Sequence, residues 1–182
     1  MRLRLIIGAL VLAALAAGLY FSNKQKSAEA AKPSTPADAP AKILTLAESD
    51  IAKISLKKKG ADETVLEKNN SGKWQLTAPK QYLADQEALA QLVTAASNVT
   101  SDRVVEDKAS DITGYGLHSP TLEVVITTKN GQTKKLLFGD DTPTNSGAYV
   151  MLQGDPRVFT VASFAKTGLD KSINDLRDKR SL

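Results

Sequence analysis

The chain has 182 residues, 24 of them basic and 20 acidic, a length that suits one domain with terminal appendages. Residues 1–41 hold five of the basic and two of the acidic residues, so the rest is nearly neutral, with 19 basic and 18 acidic residues. This balance argues against nucleic-acid binding, which requires a basic surface on the folded part. The absence of cysteine excludes disulfides, thiolate metal sites, a cysteine nucleophile and a lipidated cysteine.

The first predicted element is an uncleaved signal anchor, a transmembrane helix within residues 1–21. Its apolar run follows Arg2 and Arg4 and would span about 26 Å as a helix, close to the thickness of a hydrocarbon core. The residues expected to contact lipid are Leu5, Ile6, Ile7, Leu10, Val11, Leu12, Leu15, Leu19, Tyr20 and Phe21. A cleaved signal peptide is the alternative, because Ala28-Glu29-Ala30 has the small-x-small pattern, although it lies well past the apolar run.

The short N-terminal tail favours a single-pass protein whose domain lies on the extracytoplasmic side, although the flanking charges are nearly balanced. Residues 22–42 are rich in Ala, Pro, Lys and Ser. A stretch of this composition cannot bury enough apolar surface to fold, so we expect a semi-extended linker.

Residues 43–182 are predicted to form one soluble α+β domain. Alternation around Ile54 and Leu56 indicates a strand, and a turn at residues 69–72 joins strands at 64–68 and 73–77. Asp85 is the expected cap of a long amphipathic helix. Its apolar positions recur at three- and four-residue steps: Leu89, Leu92, Val93, Ala96 and Val99.

The second half of the domain reads as hairpins followed by short helices. Residues 111–120 suggest a helical turn ended by Gly116, and Asn130-Gly131 predicts a hairpin between strands at 121–128 and 133–138. A second hairpin is expected between 148–152 and 157–161, and Ser163 and Asp170 are candidate caps of two terminal helices. The order predicts an antiparallel sheet with helices on one side.

Several of these segments together resemble a known bacterial family, catalogued as domain of unknown function 4340, over about residues 43–180. The segments that carry the resemblance are Ser49-Asp50-Ile51-Ala52-Lys53-Ile54, Trp74-Gln75-Leu76 with Pro79, Tyr115-Gly116-Leu117 with Pro120, Phe138-Gly139-Asp140, Thr142-Pro143, Tyr149, Val158-Phe159 and Leu176-Arg177-Asp178-Lys179. The resemblance implies a short, single-unit member associated with ABC-type transport systems. It implies no catalytic residue, since the family has no established activity. With the predicted anchor, it places the protein in the bacterial inner (cytoplasmic) membrane.

Three polar features are candidate sites. In the loop at residues 139–147, Asp140 and Asp141 with nearby hydroxyl oxygens would suit a hard cation such as Ca²⁺, but EF-hand spacing is absent and turn geometry is the simpler account. His118, the only histidine, would serve a hydrolase with Ser119, yet no Gly-x-Ser-x-Gly motif occurs. The run at residues 57–60, Lys-Lys-Lys-Gly, is interpreted as a solvated cluster that protects a sheet edge.

No phosphate-binding or Rossmann glycine pattern occurs, so no cofactor is expected. The sequence therefore favours a membrane-tethered, non-enzymatic interaction module, accessory to an ABC-type transport or envelope assembly. Its expected contact surfaces are residues 57–60 and 140–147. The alternatives are an extracytoplasmic sensor that binds a small ligand or cation in a concave pocket, and a hydrolase that uses His118.

Overall fold

The computed structural model describes residues 40–180. The predicted anchor at residues 1–21 and residues 22–39 of the predicted linker lie outside the described residues, whereas Lys42, the last residue of that linker, belongs to a strand. Among the helices at 40–180, none has both the length and the apolar composition that a membrane span requires.

Eleven strands occur between residues 40 and 180. They are β1 (Lys42–Thr45), β2 (Ile51–Lys58), β3 (Thr64–Lys68), β4 (Trp74–Ala78), β5 (Tyr82–Leu83), β6 (Asn98–Thr100), β7 (Arg103–Glu106), β8 (Leu122–Thr128), β9 (Thr133–Asp141), β10 (Gly147–Leu152) and β11 (Val158–Ala162). Nine of them form one sheet in the order β5-β4-β3-β2-β8-β9-β10-β11-β7, and β1 pairs with β6 in a separate ribbon. The pairings are antiparallel, as the hairpin-length connections predicted.

One face of the large sheet carries the hydrophobic core. Phe138 of β9, Val150 of β10 and Phe159 of β11 are direct neighbours in the strand register, and all three are fully buried in the core cluster. Along β8, buried Leu122, Val124 and Ile126 alternate with half-buried residues. Because side chains alternate between faces along a strand, the residues between these core positions lie on the opposite face.

Three helices complete the core from the same side: α1 (Gln86–Ser97), α2 (Ser163–Leu169) and α3 (Ile173–Leu176). The predicted cap of α1 is confirmed, since Asp85 Oδ1 accepts from the backbone N–H groups of Glu87 at 3.0 Å and Ala88 at 3.2 Å. The buried helix residues share one cluster with the core face of the sheet: Leu89, Leu92, Val93, Ala96, Leu169 and Leu176. The predicted α+β class, an antiparallel sheet with helices on one side, is confirmed for the described residues.

Several local predictions were wrong. The run at residues 57–60 does not protect an edge, because β2 lies between β3 and β8 in the middle of the sheet; Lys58 Nζ instead pairs with Asp170 Oδ1 at 2.6 Å. Helix α1 ends before Val99, which belongs to β6 and pairs with β1. The ribbon partner, distant in sequence, overrides the helical spacing there.

The caps of the two short helices also differ from expectation. Strand β11 runs directly into α2, so Ala162 occupies the cap position and Ser163 is already helical. Helix α3 is capped by Ser172 rather than Asp170. The backbone N–H and hydroxyl of Ser172 donate to Asp175 Oδ2 at 2.8 and 2.6 Å, and these hydrogen bonds lower the pKa of the Asp175 carboxyl.

Candidate functional site

A polar cleft of about 500 Å³ lies at one end of the sheet, on the face opposite the core. Its floor is a row of three residues on adjacent strands: Tyr149 of β10 is paired with Thr160 of β11, which is paired with Arg103 of β7. Val150 and Phe159, their chain neighbours, belong to the core, so the row faces away from it. We call this row the Tyr149–Thr160–Arg103 row.

The wall of the cleft is the β9–β10 connection, which contributes Thr142, Pro143, Thr144 and Ser146. Their hydroxyls are linked: Thr144 Oγ1 lies 2.8 Å from Ser146 Oγ and 3.4 Å from Thr142 Oγ1. The backbone of Ser146 is held by the N–H of Ser163, which donates to its carbonyl at 3.1 Å. We name residues 142–147 the hydroxyl loop. Its contacts hold it against α2, so the wall is preorganised.

The floor of the cleft presents polar groups without protein partners. Thr160 is only 5% exposed, yet within residues 40–180 its hydroxyl makes no hydrogen bond, and neither do the Tyr149 hydroxyl and the Arg103 guanidinium. The carboxylate of Asp102, beside Arg103, is likewise unpaired in this part of the chain. Asp102 and Arg103 are exposed and Tyr149 is half-buried, so these polar groups are open to solvent and to any ligand that enters the cleft.

The Tyr149 ring of the cleft floor packs against Tyr115, which does not itself line the cleft. The ring of Tyr115 lies 5.0 Å from that of Tyr149, tilted by 56°, and its hydroxyl donates to Glu106 Oε2 at 2.9 Å. This hydrogen bond, with burial and the Glu106 charge, raises the pKa of the Tyr115 phenol, so the phenol stays protonated at neutral pH. Tyr115 thus ties the crossing segment before β8 to the edge strand β7.

A glycine allows that segment to lie directly on the sheet. A Cβ added at Gly139 would stand 2.0 Å from the carbonyl oxygen of Tyr115. Gly116 takes the predicted left-handed conformation, with φ of 69°, and a Cβ there would meet the Asp140 side chain at 2.5 Å. Backbone therefore packs on backbone at this point, and the position of Tyr115 depends on Gly139.

The predicted cation ligands lie beside the cleft rather than in it. Strand β9 is longer than expected and includes both Asp140 and Asp141, so these neighbours belong to opposite faces of the sheet. Asp141 Oδ1 accepts from Lys166 Nζ at 2.8 Å, and Asp140 lies against Gly116. No group of three or more His, Asp or Glu residues suited to a metal occurs among residues 40–180. Cation binding here stays a prediction.

The serine and histidine proposed for hydrolysis are not joined in the structure. His118 and Ser119 are both exposed and follow the turn before β8. Neither side chain makes a hydrogen bond within residues 40–180, whereas a nucleophile and its base are expected within hydrogen-bonding reach. The absence of enzymatic activity stays a prediction.

A second surface feature is the exposed aromatic ring of Phe164 on α2. It is 81% exposed, the most among the described large apolar residues, followed by Leu83 at 62%. Phe164 borders a groove of about 350 Å³ that Pro40 also lines. In the same groove Ser101 is 1% exposed, and within the described chain its hydroxyl has no hydrogen-bonding partner. We call this feature the Phe164 groove.

Sequence reasoning anticipated the hydroxyl loop but missed the floor of the cleft. Arg103 and Asp102 went unnoticed because β7 was not predicted, and Thr160 because nothing local marks a strand residue as the partner of Tyr149. The adjacent β-branched residues Val104 and Val105 were the local signal for β7.

The described residues thus form an α+β domain with an open polar cleft on its sheet. Residues 74–182 match the family model described as Domain of unknown function (DUF4340), and the chain belongs to this family. The match covers more than half of the chain and includes every residue of the cleft; it begins later than the resemblance over about residues 43–180 suggested. No curated protein and no solved structure matches the chain.

Proposed function

We propose that this protein is a membrane-tethered, non-enzymatic interaction module and an accessory component of an ABC-type transport or envelope assembly. The predicted anchor at residues 5–21 would hold it in the bacterial inner membrane, and the linker would let the domain reach a partner on the extracytoplasmic side. The observation that carries the proposal is the Phe164 groove.

The Phe164 groove has the chemistry of a protein contact. An aromatic ring exposed to 81% costs free energy in water that burial against a partner recovers, about 1.5–3 kcal/mol for a phenylalanine. Interface hot spots commonly join such an aromatic anchor to a desolvated pocket.

The location of the groove fits a partner within a membrane assembly. Pro40 lines it, and Pro40 belongs to the predicted linker, residues 22–42. The predicted anchor would keep the groove at a high effective concentration near any membrane-embedded subunit, so a contact of modest area suffices.

The test is affinity purification of the full chain from detergent-solubilised membranes. We expect subunits of an ABC transporter or an envelope complex, identified by mass spectrometry, to copurify with the wild type and be lost with Phe164→Ser. Leu83→Ser is the matched control, because Leu83 is also an exposed apolar residue but does not line the groove. Recovery of the protein alone, without any such subunit, would contradict the proposal.

A second candidate function is binding of a small ligand on the extracytoplasmic side. The observation that favours it is the cleft, whose volume of about 500 Å³ lies within the range of about 300–1,000 Å³ typical of ligand sites. Its unpaired polar groups converge on one space, as the sensor alternative requires.

A further inference from the structure

We propose that the polar cleft binds a neutral saccharide through vicinal hydroxyl groups. This inference rests on the second candidate function and names the ligand class. It depends on the Tyr149–Thr160–Arg103 row, on Asp102 and on the hydroxyl loop, which line one cleft. Asp102 also lines the Phe164 groove, whereas the Tyr149–Thr160–Arg103 row and the hydroxyl loop line the cleft alone.

The charges in the cleft select a neutral ligand. Asp102 and Arg103 are adjacent and line the same space, and within residues 40–180 neither side chain has an ion-pair partner. A phosphate or carboxylate ligand would be attracted by the Arg103 guanidinium but repelled by the Asp102 carboxylate. A cationic ligand would be attracted by Asp102 but repelled by Arg103. A neutral ligand with many hydroxyls uses both, since a carboxylate accepts two O–H bonds and a guanidinium donates in a fork.

The hydroxyls of the cleft match a ligand that both donates and accepts. The hydroxyls of Tyr149 and Thr160 have no partner among the described residues, and each can act as donor or acceptor. The hydroxyl loop adds Thr144 and Ser146 in a linked pair at 2.8 Å. An apolar ligand would leave these groups desolvated and unsatisfied. The hydroxyl groups of a sugar can donate hydrogen bonds to these protein hydroxyls or accept hydrogen bonds from them.

Rigid, partly apolar walls complete the site. The Tyr149 ring, supported by Tyr115 at 5.0 Å, and the Pro143 ring offer surfaces for the C–H face of a pyranose. The hydroxyl loop is fixed to α2 by the Ser163 N–H, so binding orders little of the protein. Thr160 as a residue is 5% exposed and lines the cleft, so its hydroxyl can hydrogen-bond a ligand bound there.

Saturation-transfer difference NMR on the full chain in lipid nanodiscs tests this inference. Nanodiscs avoid detergents with sugar headgroups. The probes are glucose, galactose, N-acetylglucosamine and lactose, with glucuronate and inorganic phosphate as anionic comparators. We expect saturation transfer to at least one neutral sugar and not to phosphate.

Variants assign the signal to the cleft. Arg103→Gln and Asp102→Asn each remove a charge-assisted hydrogen bond, so we expect the sugar to bind about ten- to a hundredfold more weakly. The control Arg180→Gln removes an arginine whose side chain is 88% exposed and which does not line the cleft; it should bind like the wild type. Trp74 fluorescence checks the folding of each variant. Thr144→Ala removes a hydroxyl from the wall of the cleft, and we expect it to weaken sugar binding independently of the two charged residues.

Two outcomes would overturn the inference. One is the absence of transfer to every neutral sugar, and the other is transfer that Arg103→Gln, Asp102→Asn and Thr144→Ala leave unchanged. Transfer to phosphate or glucuronate alone would keep a ligand site but reject the neutral class. In each of these cases a transport partner would still copurify with the wild type and be lost with Phe164→Ser. The NMR experiment can therefore reject sugar binding without rejecting the interaction module, and the copurification experiment can do the opposite.

Discussion

Replacing Gly139 by alanine tests how the crossing segment is placed on the sheet. The added Cβ would lie 2.0 Å from the Tyr115 carbonyl oxygen and 3.1 Å from backbone carbons of both Tyr115 and Gly116. Nonbonded carbon contacts favour about 3.5–4.0 Å, so the segment would have to retreat by more than about 1 Å. Both surfaces are backbone, and no side chain can rotate away to relieve the contact.

Overpacking of this kind costs about 1–3 kcal/mol. For a domain of this size, each kcal/mol lowers Tm by roughly 3–5 °C, so Gly139→Ala should unfold about 8 °C below the wild type at the middle of that range. Fluorescence of Trp74, the only tryptophan and 8% exposed, reports the transition of the full chain in nanodiscs.

The matched control is Gly114→Ala in the same segment. A Cβ at Gly114 meets no atom within 4 Å, so its Tm should change little, consistent with about 0.5 kcal/mol or less at such sites. Equal stability of Gly139→Ala and the wild type would contradict the close packing of the segment on Gly139, as would an equal loss of stability in Gly114→Ala.

Three further predictions concern stability. Tyr115→Phe removes the hydrogen bond to Glu106 and should lower the free energy of unfolding at neutral pH. Because the pKa of the Tyr115 phenol is raised in the folded protein, this stabilisation is present below the ordinary tyrosine pKa and is lost as pH rises through the folded value. Urea unfolding of both proteins across alkaline pH should therefore show the difference between them disappear. Asp175→Asn weakens the cap of α3. Since the pKa of the folded Asp175 carboxyl lies below the ordinary 3.8, the wild type should have its full advantage in Tm above pH 3.8 and lose it at more acidic pH. A Tm difference that stays constant from pH 2 to 7 would contradict this prediction. Leu92→Ala leaves a cavity at a fully buried core position and should lower the free energy of unfolding, measured in urea, by about 2–5 kcal/mol. A loss under about 1 kcal/mol would show that Leu92 of α1 does not pack in the core as described.

The parts of the fold that sequence predicted depend on local signals. The cap and apolar stripe of α1, the Asn130-Gly131 hairpin and the left-handed Gly116 each follow from a few adjacent residues. The parts that it missed depend on partners distant in sequence. Strand β6 forms because β1 pairs with it, and residues 57–60 lie centrally because β8, more than sixty residues later, pairs with β2.

The candidate site divides in the same way. The hydroxyl loop stands out in the sequence by composition alone. Its floor does not, because Tyr149, Thr160 and Arg103 become neighbours only through the register of β10, β11 and β7. Register between strands is fixed by the whole buried face rather than by any local motif. A cleft assembled across three strands is therefore visible only in the folded structure.

Retention at the membrane is the claim on which the interaction module depends. The most direct measurement is the intact mass of the protein recovered from bacterial membranes after an alkaline wash. We expect the full chain, 19.4 kDa, in the washed membrane pellet. A soluble protein lacking roughly its first thirty residues, the length of a removed signal peptide, would contradict it.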